Sequence, residues 1–490
     1  MTRCDVASLG EGWNDTLLHY AMAMGELDRL PADDRNSWRF LGAIHGCDPA
    51  GWAQVGIVEA EADLPAEVAG PSPTYGRQCQ HQSWFFLPWH RGYLASFEAI
   101  VAAKVKELTG ATWSLPYWNY LDDTNPDALK VPSAFLEDSL PDGTPNPLRK
   151  YRIFSETTEL PAPSRRRFSL EAMEEDDFLV GNDGTIGFGG GITPNFAQFY
   201  GRTGDLEQNP HNVVHGYVGG LMSNPNYAAL DPIFWLHHCN IDRLWEAWMR
   251  TPGKTMVRDP RWLDGPTDRR FIVPSVGGED PGIQFTGRDT LRGGLLCPEY
   301  DDLTKGTGVT PEEQAVARVS MGPSNSQVVE PIGDNRSVVE VAAVPQTSSI
   351  ELEPTASEDA ARTMGASRTG ETVTRLYLAL EGVKGEAPSP TIDVYLGLAE
   401  GETAQSHPER FAGALTLFGL NVASDPGGNH AGNGLSFTLD ITDIAQQLKS
   451  DGRLDGTDLA VTIVPVSDVS EQRPVTIERL VIYRRSGTVQ

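Results

Sequence analysis

The sequence predicts a multi-domain α+β chain: an α-helical, metal-binding bundle followed by an antiparallel β-sandwich or barrel. Three observations carry that expectation. Histidines recur at helical spacing inside apolar, aromatic-rich segments before residue 250. From Gly306 to about Asp334 the composition shifts to Gly, Pro, Ser, Glu and Gln, as linkers do. Beyond it, alternating apolar runs are separated by Gly, Pro and Asp turns, the pattern of strands with one buried face. The expected division is a core at 1–305, a linker at 306–334 and a β-rich domain at 335–490.

Composition sets the outer bounds. At 490 residues the chain is long for one domain, and 39% hydrophobic residues suffice for a large core. Sixty-seven acidic against 39 basic residues give a formal charge of −28, which opposes binding to nucleic acid or anionic membranes. No apolar run approaches the roughly 18 residues of a membrane span. The amino terminus shows no apolar segment of the secretory kind, so a cytoplasmic location is the default expectation. Five scattered cysteines do not make a disulfide scaffold.

Taken in order, residues 13–45 read as helical, with Asn14 or Asp15 as a cap, and a second apolar-periodic stretch ends at His45 before Gly46. The segment C-Q-H-Q-S-W-F-F-L-P-W-H-R-G-Y-L-A-S-F-E follows, Cys79 to Glu98. It places His81 on a loop and His90 at the opening of an apolar-faced helix, among Trp84, Phe85, Phe86 and Trp89. His45, His81 and His90 form one set of three imidazoles. W-S-L-P-Y-W-N-Y, Trp113 to Tyr120, reads as a buried apolar turn, and Asp122 to Tyr200 as loop. Within that loop the run Arg165–Arg167 reads as a solvated turn, and G-F-G-G-G lacks the Lys and Ser or Thr of a phosphate loop.

The densest signal is Pro210 to Asp242. His211 and His215 stand four apart, a spacing that puts both rings on one helix face within reach of one ion. His238 follows in D-P-I-F-W-L-H-H-C-N-I-D, with Asp242 four residues on. Three imidazoles without a thiolate or carboxylate pair suit copper or zinc. The strand-like runs of the last third are S-V-V-E-V-A-A-V, T-R-L-Y-L-A-L-E-G-V, T-I-D-V-Y-L-G-L, G-A-L-T-L-F-G-L-N-V, L-S-F-T-L-D-I, L-A-V-T-I-V-P-V and I-E-R-L-V-I-Y.

These residues resemble the tyrosinase, catechol oxidase and molluscan hemocyanin family of type-three binuclear copper proteins. One signature runs from His81 through Phe86, Trp89, His90, Arg91 and Leu94 to Glu98, the other from Asp231 to Asp242. The last third is similar to the carboxy-terminal domain of plant polyphenol oxidases. The resemblance implies two copper ions that bind dioxygen as peroxide, one held by His45, His81 and His90, the other by His211, His215 and His238. His237 would not be a ligand. Cys79 matches the cysteine that many members join to the nearby histidine by a thioether. Phe234 would pack on a ligand ring, and Asp242 is a candidate acceptor for a ligand N–H. Glu207 and Asn212 match the pair proposed to orient a water that deprotonates a phenol, whose free pKa is about 10. Pro225 falls where plant catechol oxidases place a bulky Phe over one copper, and with Gly216 it implies an open entrance. Phe418 is the candidate plug from the β domain.

The implied activity is oxidation of phenols by dioxygen: ortho-hydroxylation of monophenols and oxidation of o-diphenols to o-quinones, from a proenzyme cleaved near residues 306–334. A catechol or o-aminophenol oxidase without monophenolase activity, or an oxygen carrier like hemocyanin, would use the same ligands. A zinc hydrolase is more distant, since it would keep one metal and a catalytic carboxylate. The implied partners are a small phenol or catechol and dioxygen, with a copper chaperone as a route of metal delivery and the oligomeric state open.

Overall fold

The computed structural model describes residues 2–10, 12–149, 159–179, 187–193, 195–196, 201–279, 281–291, 293–294, 296–308, 328–335, 337–352, 372–428, 431–454 and 458–488. Five helices organise the first part. Helix α1, Asp15–Arg29, starts where the Asn14 side chain accepts the Leu17 N–H, and it buries Leu17, Tyr20, Ala21, Met24 and Leu27 on one stripe. Helix α2, Trp38–His45, is capped by Ser37 and buried almost throughout. Helix α3 spans Phe86–Thr109, so it begins four residues before His90, which the sequence places at its opening. Pro88 does not interrupt it, because a first-turn residue has no intrahelical N–H to lose. A π-helical turn, Glu207–Asn212, leads into α4, Val213–Val218. Helix α5, Ile233–Met249, is buried at every position, as expected for the central member of a bundle. Aromatic rings fix the packing: Phe97 of α3 stacks on Trp235 of α5 at 3.6 Å, and Tyr20 of α1 meets Phe97 edge-on at 6.1 Å.

The second part is one antiparallel sheet, nine-stranded among the described residues. Its strands are β1 Val328–Asp334, β2 Val339–Val341, β3 Gln346–Leu352, β4 Thr372–Gly385, β5 Thr391–Leu396, β6 Phe411–Thr416, β7 Leu435–Asp440, β8 Asp458–Ser467 and β9 Val475–Thr488. The order is β6-β5-β8-β3-β1-β9-β4-β7, with β2 beside β9. The sheet curls until its edges nearly meet, where Leu439 of β7 packs over Gly413 of β6. A barrel-like sheet is therefore the form taken by the expected sandwich or barrel.

Three local expectations change. Val328–Asp334 falls within the linker by composition but pairs with β9; Pro331 and Gly333 disguise it, and a register shift opposite them absorbs the irregularity. The rest of the linker, 309–327, lies outside the described residues. β3 escapes the pattern because only Ile350 and Leu352 of its seven side chains are buried. The run G-A-L-T-L-F-G-L-N-V is a strand only to Thr416. Leu417 N–H then turns to Pro390 O (2.9 Å), Gly419 takes a left-handed φ of 80°, and a short helix starts at Leu420.

That turn carries Phe418, which belongs to the apolar core of the helical part rather than to the core of its own sheet. The two parts meet at the sheet's edges and at its inner strands β4 and β9, where Arg375 and Arg485 face Glu175. Arg166, at a left-handed φ of 61°, offers its carbonyl to Ala414 N–H of β6 (3.0 Å), and Ser436 O of β7 accepts from Thr203 Oγ1 (3.1 Å). The arginine run is a turn, as expected, and Arg165 is solvated, but the run also clasps the β domain. Arg167 reaches Asp393 at 2.6 Å and lies over the Phe411 ring at 4.9 Å, and Arg165 pairs with Asp443 at 3.3 Å. Composition could not show this, because Asp393 and Asp443 lie more than 200 residues away. Arg202 adds a pair with Glu381 at 2.7 Å.

Candidate metal centre

Two groups of buried side chains lie side by side. His45, His81, His90 and Cys79 form one; His211, His215, His237 and His238 form the other, with donor atoms in each group within 4.8 Å of one another. α2 delivers His45 from its last residue, α3 delivers His90, and the loop before α3 delivers His81. The π-turn and α4 bring His211 and His215 to a 4.5 Å ring separation, and α5 supplies His238. The groups adjoin: His90 stacks on His238 at 4.5 Å, and His81 lies 5.9 Å from His211.

Backbone oxygens set the tautomers. His45 Nδ1 meets Pro225 O at 2.8 Å, His90 Nδ1 meets Phe86 O at 2.8 Å, and His215 Nδ1 meets Met222 O at 2.7 Å. His211 Nδ1 meets the Asn212 side-chain oxygen at 2.9 Å. Only a protonated Nδ1 satisfies these acceptors, so each Nε2 keeps its lone pair and points inward. His45 Nε2 is buried with no hydrogen-bond partner, and His238 Nε2 lies 3.3 Å from His211 Nε2 and 3.2 Å from His215 Nε2. Burial pushes His45 down to about 4 and His211 down to about 3, and it holds His90, His215, His237 and His238 well below the ordinary imidazole value. Neutral imidazoles with converging lone pairs are what soft-to-borderline divalent metals require. The donor set fits copper.

Aromatic rings pack against both groups. Phe234 lies 4.1 Å from His238 and 4.9 Å from His45, and Phe86 lies 4.6 Å from His90 and 4.8 Å from His211. Cys79 is buried with its Sγ 3.3 Å from His81 Nδ1. Phe418 joins the aromatic rings from the β domain, stacked on His215 at 4.2 Å and near His81 at 5.4 Å. Gly216 makes room for its strand, since a Cβ there would fall 2.5 Å from Thr416 Cγ2.

Two expectations are corrected here. Asp242 touches no imidazole; it accepts from Arg91 Nε (2.6 Å), Arg3 Nη1 (3.1 Å) and Tyr300 OH (2.5 Å). Two buried guanidinium groups claim the carboxylate more strongly than a neutral ring would. The open entrance expected from a small Pro225 and Gly216 is filled: Phe418 stacks on His215, and the Pro225 carbonyl orients His45. Glu207, buried, accepts from the Gln82 N–H at 2.9 and 3.0 Å, and burial pushes its carboxyl up to about 8. His237 joins the second group, with its Nδ1 3.2 Å from Tyr120 OH and its Nε2 buried without a partner. The aiming carbonyls and Gln82 escaped the sequence reading, for peptide oxygens carry no residue signature.

Two adjoining histidine groups ringed by aromatic side chains, on a helical bundle covered by a β domain, define a binuclear metalloprotein of the type-three copper class. The chain belongs to the tyrosinase family, copper-dependent enzymes that oxidise phenols with dioxygen. The common central domain of tyrosinase matches residues 35–251, and a domain of unknown function matches 328–485. Tyrosinase HcTyr1 of Hahella sp. (strain CCB-MM4) is 32% identical over 96% of this chain and 97% of its own. The fold is similar to that of a recombinantly expressed latent aurone synthase (TM-score 0.59, 19% identity, 99% of this chain and 89% of the other). It is also similar to latent apple tyrosinase (TM-score 0.54, 23% identity, 98% and 96%). No helix among the described residues is long and apolar enough to cross a membrane.

Proposed function

We propose that the chain is a latent tyrosinase: it hydroxylates monophenols at the ortho position and oxidises o-diphenols to o-quinones once the β domain no longer covers the site. In this reading His45, His81 and His90 hold one copper, and His211, His215 and His238 the other. Bound copper supplies dioxygen activation and accepts the phenol's electrons. The chain does the rest. Burial keeps the ligands neutral, the backbone carbonyls hold their rings in place, and Phe86 and Phe234 exclude water. The contact of Cys79 Sγ with the His81 ring supports the thioether, which would lock that ring's orientation.

A phenol must shed its proton before it can bind metal. Glu207 is the group assigned to this step, directly or through a water, because a carboxyl poised near neutral pH matches that task. Asn212 fixes the His211 ring. The observation that carries latency is the face-on contact of Phe418 with His215. That ring lies where a phenol would stack.

The test uses the full-length, copper-loaded protein, with metal content measured first. Turnover of tyrosine, dopa, catechol and o-aminophenol is then compared before and after limited proteolysis. Two coppers per chain, and dopachrome from both tyrosine and dopa after cleavage, is the expected result. Turnover of catechol or o-aminophenol alone would favour the narrower oxidases. Reversible dioxygen uptake with no turnover of any substrate would favour a carrier.

A further inference from the structure

We propose that Gln82 is a positioning residue for phenol deprotonation: its backbone aims Glu207, and its side chain anchors that backbone to the seam between the two domains. The proposal rests on the reading of Glu207 given above. Gln82 directly follows His81 and is 98% buried, yet it holds a left-handed φ of 52°, uncommon for a residue with a side chain. That conformation points its N–H at both oxygens of Glu207, 2.9 and 3.0 Å away, four residues before His211. The contact therefore joins the loop of one histidine group to the helix of the other. The carboxamide holds the turn in place. Its Nε2 donates to Thr203 Oγ1 (3.0 Å) and to Ser436 O on β7 (3.4 Å), and Thr203 Oγ1 donates to the same carbonyl. Gln82 Oε1 is buried with no partner. An apolar residue of equal size would leave no orphaned acceptor, so packing alone does not account for a glutamine here.

The test uses the full-length, copper-loaded chain carrying Phe418→Ala, so that the site is open, alone and combined with Gln82→Val, Gln82→Gly or Glu207→Gln. Valine disfavours the left-handed backbone and so turns the N–H away from Glu207. Glycine keeps the N–H and the backbone but loses the anchor. Copper content, kcat for tyrosine and for dopa, and the pH profile of tyrosine turnover are measured for each. The expected result is a fall of about tenfold in the tyrosine-to-dopa kcat ratio for Gln82→Val, with a displaced tyrosine pH profile, and a smaller fall for Gln82→Gly. Equal losses on both substrates in the Val and Gly variants would reduce Gln82 to a structural part and overturn the proposal. A ratio that falls with Glu207→Gln but with neither Gln82 variant would overturn it while leaving the role of Glu207 standing. A ratio unmoved by Glu207→Gln would overturn that role and, with it, this one.

Discussion

Phe418 lies face-on against His215, ring centroids 4.2 Å apart and planes 26° apart, although 203 residues separate the two in the chain. Phe418→Ala should open the site without cleavage. Removing a buried Phe ring costs about 3–5 kcal/mol where neighbours do not collapse, so docking of the β domain weakens as well. Dopa oxidation by the intact variant should exceed that of the parent by about tenfold, and limited proteolysis should add little more. Equal activation of parent and variant by proteolysis would exclude Phe418 as the plug.

Gly216 offers a second route to the same end. Gly216→Val would drive a side chain into Thr416 and lift the strand leading to Phe418, an overpacking cost of about 1–3 kcal/mol. The intact variant should gain dopa turnover. Adding Thr416→Gly should restore latency, because it returns the lost space. A double mutant as active as Gly216→Val alone would mean that the contact does not set the plug.

The arginine clasp should divide by exposure. Arg167 and Asp393 are 28% and 10% exposed, and Arg167 also covers the Phe411 ring; Arg165 and Asp443 are 68% and 62% exposed. Arg167→Ala should weaken docking by about 1 kcal/mol and raise intact-chain activity several-fold, whereas Arg165→Ala should do almost nothing. Activity read against salt concentration checks this, since the parent's latency should fall with salt more than that of Arg167→Ala.

The copper-free protein should lose stability in mild acid. His45 and His211 titrate near 6.5 when unfolded but at about 4 and about 3 when folded. Between those values the unfolded chain binds more protons. Their contribution is therefore complete above about 6.5 and declines as pH falls toward about 4 for His45 and about 3 for His211. Glu207 has the opposite sign. Its carboxyl is held at about 8 against 4.5, so the folded chain binds the extra proton and stability declines as pH rises from about 4.5 to about 8. Denaturant midpoints against pH should show both slopes, and Glu207→Gln should flatten only the alkaline one.

Asp242→Asn tests the corrected role of that residue. Arg91 and Arg3 are buried, so halving their compensation should destabilise the fold by about 3–5 kcal/mol. Copper binding by the folded fraction should persist. Selective loss of copper without loss of melting temperature would return Asp242 to the role of acceptor for a ligand N–H.

The helical core was legible because its signals are local. His211 and His215 share a helix face by spacing alone, and the aromatic run around His81 and His90 announces a dry wall. The β domain was legible from alternation, except where Pro331 and Gly333 broke the pattern or where β3 turned most of its side chains to water. Long-range relations were not. Asp242 stands one turn from His238, and nothing nearby discloses the guanidinium that Arg3 brings from the far end of the chain. Nor can a sequence say which peptide carbonyls, those of Phe86, Met222 and Pro225, will aim three imidazoles. The arginine clasp reads as solvent-facing until its acidic partners are placed beside it.

The nearly closed sheet has a consequence for how the proposed latency would end. Its two open edges, β6 and β7, both rest on the helical part, where Arg166 and Thr203 engage their backbone groups. A β domain set loose would carry those edges bare into solution, and bare edges recruit other strands more readily than they find their old berth. Unsealing should thus work as a ratchet: the enzyme is switched on once, and the discarded cover is diverted into aggregates instead of returning to close the site.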